Sequence, residues 1–152
     1  PKHVQQLTEE NHLRWDSLGE FCALGESLNF LAKTNNNPKA AVLGAAAESA
    51  TQELLNNNKS PSRKVGEEDN RTSHFYFALY WAKALAKQKQ DPEIAKYFEP
   101  ISKYLTENED GIIKEIMEPQ GHEADLGGYY HTDPVKVQKI MRPSKIFNQI
   151  IS

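Results

Sequence analysis

The chain has 152 residues, of which 38% are hydrophobic and 26% are charged, a composition that excludes an intrinsically disordered protein and predicts one globular domain with a real core. Its net charge of −3 argues against a nucleic-acid-binding protein, which usually carries a basic excess on one face. No stretch is long and apolar enough to span a membrane and no signal peptide is visible, so a cytoplasmic location is expected.

The first strong helical pattern begins near residue 11 and continues to about residue 33. Apolar residues recur in it at spacings of three and four, which predicts a single apolar stripe. The stripe consists of Leu18, Phe21, Leu24, Gly25, Leu28, Leu31 and Ala32. Arg14 lies one turn before Leu18, so its side chain is expected to point toward whatever the stripe packs on. Residues 4–8 predict only a short helical lead-in.

A second helix is predicted over residues 39–55, where alanine, the best helix former, is frequent. Small residues on one face of this helix would let a neighbouring helix approach closely. Residues 59–66 are predicted to form a loop, because proline, serine and glycine are concentrated there. The loop carries Lys59, Arg63 and Lys64, and loops on rigid scaffolds often carry binding residues.

A third helix is predicted over about residues 71–89, with Asp69 or Thr72 as its cap. Residues 75–82 are apolar or aromatic on every side of this helix, which indicates that it is buried on every side. It is therefore expected to lie at the centre of the fold. The acidic run at residues 67–69 is interpreted as a solvated lead-in to the helix.

The Asp91-Pro92 pair predicts the start of a further helix, and helical spacing of apolar residues continues to Met117. Pro100 is expected to divide this stretch into two helices that lie nearly in line. Residues 119–134 are interpreted as an irregular but packed loop, because a double glycine there adjoins two tyrosines. Short helices are predicted over residues 135–141 and 146–151.

The predicted fold is mainly α, a multi-helix bundle around the central aromatic helix at residues 71–89. Such a bundle is compatible with a free-standing module and also with part of a larger α/β enzyme domain.

Arg14 and Arg63 are the candidate binding residues that side-chain chemistry singles out. A phosphate monoester carries nearly two negative charges, and an arginine matches its oxygens with two parallel hydrogen bonds. An arginine in the first turn of a helix is unfavourable for the helix dipole, so a nearby anion is expected. Asp16 is the alternative partner of Arg14, and an internal ion pair accounts for the pattern equally well. His3 and His12 are further candidate donors, although a lone histidine is more often structural.

No motif in the chain predicts a reaction. Nucleophile elbows, Walker-type loops and histidine pairs at metal-binding spacing are all missing from the sequence. The single cysteine, Cys22, is interpreted as a small buried apolar residue. The residues by themselves therefore predict an anion-binding helical module and no mechanism.

Several long and unusual runs of residues follow one another along the chain. They are PKHVQQ (1–6), EENHLRWDSLGEF (9–21), NNKSPSRKVG (57–66), DNR (69–71), SHFY (73–76), ALYWA (78–82), DLGGYY (125–130) and MRPS (141–144). In these runs, and over essentially its whole length, the chain resembles the C-terminal part of the monomeric-type NADP-dependent isocitrate dehydrogenases.

This resemblance implies an oxidoreductase that converts isocitrate to 2-oxoglutarate and CO2, with NADP and with Mg2+ or Mn2+. It implies that residues 1–152 are a single helical unit, the C-terminal segment of the coenzyme-binding domain of a longer two-domain enzyme. The start at Pro1 leads to the same expectation. The family's residues for isocitrate, metal and proton transfer lie outside this segment, so the segment alone is expected to bind neither isocitrate nor metal and to be inactive.

The resemblance also implies the coenzyme-binding residues, which are His3, Arg14, Trp15, Asp16 and Arg63. Arg14 and Arg63 would clamp the 2′-phosphate of NADP, and His3 would donate a hydrogen bond or charge. Asp16 would orient Arg14 or touch the adenosine, while Trp15 would contact the coenzyme through its side chain or its backbone. No catalytic and no metal-binding residue is assigned to this segment.

The alternative is a free-standing helical interaction or regulatory module without catalysis. If the chain is a segment of a dehydrogenase, it should expose apolar surface that the rest of the enzyme covers, and it is expected to self-associate through that surface.

Overall fold

The computed structural model describes residues 1–152, which form eight α-helices and no strand. The helices are α1 (Lys2–Glu10), α2 (Leu18–Thr34), α3 (Pro38–Asn56), α4 (Asn70–Lys87), α5 (Pro92–Glu107), α6 (Glu109–Met117), α7 (Pro134–Met141) and α8 (Lys145–Ile151). The predicted mainly α fold is confirmed. No helix among them combines the length and the apolar character that crossing a membrane requires.

Helix α4 is the centre of the bundle, as its aromatic sequence predicts. Phe75 and Leu79 are fully buried, and the main core cluster gathers side chains of α2, α3, α5 and α6 around them. Phe77 of α4 stacks on Phe21 of α2, with the ring centroids 4.3 Å apart. The helix is held at its start by Asp69, whose side chain accepts the backbone N–H of Arg71. Burial on all sides follows from the apolar character of α4 on all sides.

Helices α2 and α3 pack closely because glycines face the contact. Gly44 of α3 lies against Asn29 of α2, so close that a Cβ at this position would overlap the side-chain oxygen of Asn29. Gly25 of α2 lies against Glu48 of α3, where a Cβ would be 3.3 Å from the Cγ atom of Glu48. The small face that the sequence predicts for α3 is a different one, and it packs in the core with side chains of α4 and α5; it consists of Val42, Leu43, Ala46, Ala50 and Leu54.

The helix predicted from residue 11 to residue 33 is wrong at its start. The structure instead ends α1 at Glu10, places Asn11 in the left-handed conformation with φ of 48°, and begins α2 at Leu18. Asparagine tolerates this conformation, and the side chains of Asp69 and Arg71 bind the backbone that follows. These hydrogen bonds from α4 replace the ones that a continuous helix would make, so tertiary contacts override the local pattern.

The apolar stripe of α2 is buried only in part. Phe21 and Gly25 are buried, whereas Leu24 and Leu31 are exposed. Arg14 precedes the helix by four residues and therefore does not share the face of this stripe. Cys22, interpreted as a buried apolar residue, is exposed as well.

Pro100 does not divide the following stretch, contrary to the prediction. It lies inside α5, and the break falls at Asn108 between α5 and α6. A proline removes the hydrogen bond to the carbonyl four residues earlier, here that of Lys96. Both residues are exposed, so water can solvate the free carbonyl and the helix continues. The Asn108 side chain donates to the carbonyl of Tyr104 at 2.8 Å and ends α5 instead.

Two further expectations about loops are wrong. Asp69, interpreted as part of a solvated lead-in, is fully buried and lies 2.7 Å from the Arg71 guanidinium. The residues of the loop before α7 are less packed than the double glycine predicts, because Tyr129 and Tyr130 are both exposed. The start of that loop is nevertheless tied to α1 through the backbone N–H of Ala124, which donates to the carbonyl of Thr8.

Candidate functional site

A shallow polar recess of about 350 Å³ brings together the residues predicted to bind a coenzyme. Its lining consists of Lys2, His3, Arg14, Trp15, Asp16 and Arg63. Residues that lie far apart along the chain therefore meet at one place on the surface.

Three segments of the chain supply the recess. The first turn of α1 carries His3, the irregular segment between α1 and α2 carries Arg14 to Asp16, and the loop between α3 and α4 carries Arg63. The irregular segment exists because α1 ends at Glu10 and the side chains of Asp69 and Arg71, at the start of α4, hold the chain that follows. The break that the apolar pattern did not predict is thus what brings Arg14 beside His3 and Arg63.

Both arginines of the recess are free of internal partners. Arg14 is half-buried and Arg63 is exposed, and neither side chain forms an ion pair within 4.0 Å or a hydrogen bond with another residue. Guanidinium groups without a protein acceptor are available to an anion from solution.

The internal ion pair between Arg14 and Asp16 does not form. The Oδ1 atom of Asp16 accepts the backbone N–H of Leu18 at 3.0 Å instead, at the start of α2. The helix-dipole argument for Arg14 is also wrong, because Arg14 lies in the irregular segment and not in the first turn of a helix. Asp16 stabilises the helix start and does not orient Arg14.

His3 and Trp15 place two rings side by side at the recess. Their centroids are 5.3 Å apart and the ring planes are inclined by 48°. The indole of Trp15 is 47% exposed, and its Nε1 donates to Glu20 at 3.3 Å. The side chain therefore offers an accessible aromatic surface whose orientation is fixed at one end.

Hydrogen bonds from neighbouring segments hold the loop that carries Arg63. The side-chain amide of Gln6, in α1, donates to the backbone carbonyl of Arg63 at 3.0 Å. Within the loop, the hydroxyl of Ser62 donates to Glu67 and accepts the backbone N–H of Lys64. The hydrogen bond from Ser62 is the main reason that the pKa of Glu67 lies below its usual value.

His12, the second histidine considered for the pocket, does not line the recess. It is fully buried, and its two ring nitrogens contact Gln120 and the backbone of Ser62. Sequence reasoning also missed Lys2, which does line the recess. The signal for Lys2 was its position beside His3 in the same run of residues.

The recess is locally positive on a chain whose net charge is −3. It holds the cations Lys2, Arg14 and Arg63 against the single carboxylate of Asp16. No group of three or more histidine, cysteine, aspartate or glutamate side chains is close enough to hold a metal ion anywhere in residues 1–152. The arrangement suits a polyanionic ligand such as a phosphate monoester.

Comparison with known proteins gives the family. The family model for monomeric isocitrate dehydrogenase matches residues 1–152. The chain is 57% identical to isocitrate dehydrogenase [NADP] 2 of Psychrobacter sp. over all of its 152 residues. It is 53% identical to isocitrate dehydrogenase [NADP] of Azotobacter vinelandii, again over its whole length, and 54% identical to that of Corynebacterium efficiens over 99% of its length.

The matched region is 20% of the length of the Psychrobacter and Azotobacter proteins and 21% of the Corynebacterium protein. The chain thus spans about a fifth of these relatives. Since the family model covers every residue of the chain, the chain belongs to the monomeric isocitrate dehydrogenase family.

Proposed function

We propose that this chain supplies the 2′-phosphate and adenosine side of the NADP site of an isocitrate dehydrogenase that converts isocitrate to 2-oxoglutarate and CO2. The observation that carries the proposal is the meeting of Arg14, Arg63 and His3 in one recess, with neither guanidinium paired inside the protein. Relatives that are named as NADP-dependent isocitrate dehydrogenases support it.

The chemistry of the recess suits the group that distinguishes NADP from NAD. A 2′-phosphate carries nearly two negative charges and three acceptor oxygens, and the two guanidinium groups can each offer it parallel donors. His3 adds a ring nitrogen at the same place. Because the arginines have no competing carboxylate partner, no internal ion pair has to break when the phosphate binds.

The rest of the recess suits the adenosine. The exposed indole of Trp15 offers a surface on which an adenine ring can pack. Asp16 has one oxygen bound to the backbone N–H of Leu18, which leaves its other oxygen to accept a hydrogen bond from the nucleoside. When bound, NADP supplies the hydride acceptor, while this segment binds and orients the end of the coenzyme that does not react.

The same proposal assigns the chain its place in the enzyme. Residues 1–152 form a helical unit of the coenzyme-binding domain, at the C-terminal end of a longer two-domain chain. Isocitrate, Mg2+ or Mn2+, and the groups that transfer protons belong to the rest of that enzyme, so this segment alone is inactive. A cytoplasmic location, expected from the lack of a membrane span and a signal peptide, stays a prediction, as does the lack of a nucleic-acid partner, expected from the net charge of −3.

Steady-state kinetics on a full-length dehydrogenase that carries this segment test the proposal. The substitution Arg63→Ala is expected to raise the KM for NADP by about one to two orders of magnitude, because a charge-assisted hydrogen bond contributes about 1.5–3 kcal/mol. The kinetic constants with NAD, which lacks the 2′-phosphate, should not change. Arg14→Ala should act in the same direction.

Lys64→Ala is the matched control for Arg63→Ala. Lys64 is the next residue in the same loop, is exposed, and lies 3.6 Å from Glu67 outside the recess. Its removal should leave the KM for both coenzymes unchanged. If Arg63→Ala affects NADP and NAD equally, or affects neither, the assignment of the 2′-phosphate site is wrong.

A further inference from the structure

His12 is a fully buried histidine that follows α1 and precedes Arg14 by two residues. Its Nδ1 lies 2.8 Å from Oε1 of Gln120, and its Nε2 lies 2.8 Å from the backbone carbonyl oxygen of Ser62. The ring therefore joins the segment that carries Arg14 to the loop before α4 and to the chain after α6.

The side-chain amide of Gln120 has only one orientation that fits its surroundings. Its Oε1 accepts the backbone N–H of Gly66 at 2.8 Å, and its Nε2 donates to the carbonyl oxygen of Glu67 at 3.0 Å. Exchanging the two atoms would set donor against donor and acceptor against acceptor. Both nitrogens of His12 thus face acceptors, Gln120 on one side and Ser62 on the other.

His12 and Gln120 together fasten the loop on both sides of Arg63. Ser62, held by His12, immediately precedes Arg63, and Gly66, held by Gln120, follows it by three residues. The Arg63 side chain itself makes no hydrogen bond or ion pair within the protein. The fastened backbone is therefore what determines where its guanidinium can reach.

We propose that His12, which contacts Gln120 and Ser62 through its two ring nitrogens, is a positioning residue that fixes the Arg63 loop against the Arg14 segment and thereby sets the preference for a coenzyme with a 2′-phosphate. This inference rests on the proposed function, since it needs Arg63 to bind that phosphate. His12 is buried outside the recess, so it acts on the coenzyme only through the loop.

The test uses His12→Ala and His12→Gln in a full-length dehydrogenase that carries this segment. His12→Ala removes both contacts of the ring and is expected to raise the KM for NADP about tenfold, with kcat and the KM for NAD unchanged, because one charge-assisted contact to the phosphate is misplaced. His12→Gln keeps an N–H donor at about the distance of the imidazole Nε2, so it should recover part of the loss. If His12→Ala does not fold, Gln120→Ala is used instead. It removes the partner of His12 Nδ1 and the acceptor for the Gly66 N–H, and the KM for NADP and for NAD are compared in the same way.

A double variant separates positioning from general stabilisation. In an Arg63→Ala background, His12→Ala is expected to add no further increase in the KM for NADP, because the group it positions is absent. The inference is overturned if the increases in the KM for NADP caused by Arg63→Ala and His12→Ala are fully additive in the double variant. It is also overturned if His12→Ala raises the KM for NADP and the KM for NAD together, or if it changes neither. Failure of the proposed function is distinguished by Arg63→Ala alone, which would then leave the preference for NADP unchanged.

Discussion

Arg71 uses all five of its N–H donors inside the protein. They bind the carboxylate of Asp69, the side chain and backbone carbonyl of Asn11, and the carbonyl of Ile140. Asp69 in turn accepts the backbone N–H of Leu13 at 3.1 Å. Because Asn11 and Leu13 flank the start of the segment between α1 and α2, this buried pair fixes one wall of the recess to the central helix.

Removing one partner of the Asp69–Arg71 pair should strongly destabilise the fold. Asp69→Ala is expected to lower the free energy of unfolding by about 3–5 kcal/mol, because it leaves the Arg71 guanidinium buried without a counter-charge. Urea unfolding followed by circular dichroism measures the loss. Lys39→Ala removes the exposed pair with Asp91, 3.1 Å apart, and should lower the free energy of unfolding far less, because water screens an exposed pair. If the free energy of unfolding falls no more for Asp69→Ala than is expected for Lys39→Ala, the buried pair does not stabilise the fold.

Side-chain chemistry alone predicted fewer of the candidate binding residues than the family resemblance did. Arg14 and Arg63 follow from the match between guanidinium and phosphate, whereas Trp15 was assigned only through the family. The choice between an anion from solution and Asp16 as the partner of Arg14 stayed open in the sequence, and the structure shows that the Asp16 carboxylate accepts a backbone N–H at the start of α2. Sequence spacing does not show which of two local donors a carboxylate accepts.

The helices were predictable where their ends are marked locally. Asp69, Asp91 and Asp133 each accept backbone N–H groups at the start of α4, α5 and α7, which are the starts that the sequence predicted within about one residue. The division between α1 and α2 was not predictable in this way, because the hydrogen bonds that create it come from Asp69 and Arg71, more than 50 residues later in the chain.

The contact between α2 and α3 depends on Gly44. Gly44→Ala is expected to lower the free energy of unfolding by about 1–3 kcal/mol, because the new methyl group overlaps the Asn29 side chain and lies 3.2 Å from the Asn29 backbone nitrogen. Gly19→Ala in α2 is the matched control, since nothing lies within 4 Å of its new Cβ. It should raise stability by about 0.5–1 kcal/mol, through helix propensity. If urea unfolding shows no loss of stability for Gly44→Ala relative to Gly19→Ala, the close contact between α2 and α3 at Gly44 does not stabilise the fold.

The molecule as a whole has a well-formed core around α4 and an outer helix that is covered incompletely. Phe30 of α2 is 69% exposed, and Leu24 and Leu31 of the same helix are exposed as well. The core was predictable from the aromatic sequence of α4. The exposed residues of α2 were not, because an apolar spacing shows which residues share a face and does not show whether a partner covers that face.

These exposed side chains lead to the prediction that the isolated 152-residue chain self-associates. Light scattering on a dilution series should show an apparent mass that rises with concentration, because association removes apolar surface from water. Phe30→Ser should reduce the effect, whereas Tyr130→Ser, which removes an exposed aromatic far along the chain, should not. A constant monomer mass over the whole series would contradict the prediction.

The central claim is that Arg14 and Arg63 recognise the 2′-phosphate of NADP, and isothermal titration calorimetry tests it most directly. Binding of NADP and of NAD is measured to a full-length dehydrogenase that carries this segment and to its Arg63→Ala variant. The free-energy difference between the two coenzymes should shrink by about 1.5–3 kcal/mol in the variant, because the contact to the phosphate is lost. An unchanged difference between NADP and NAD would contradict the account.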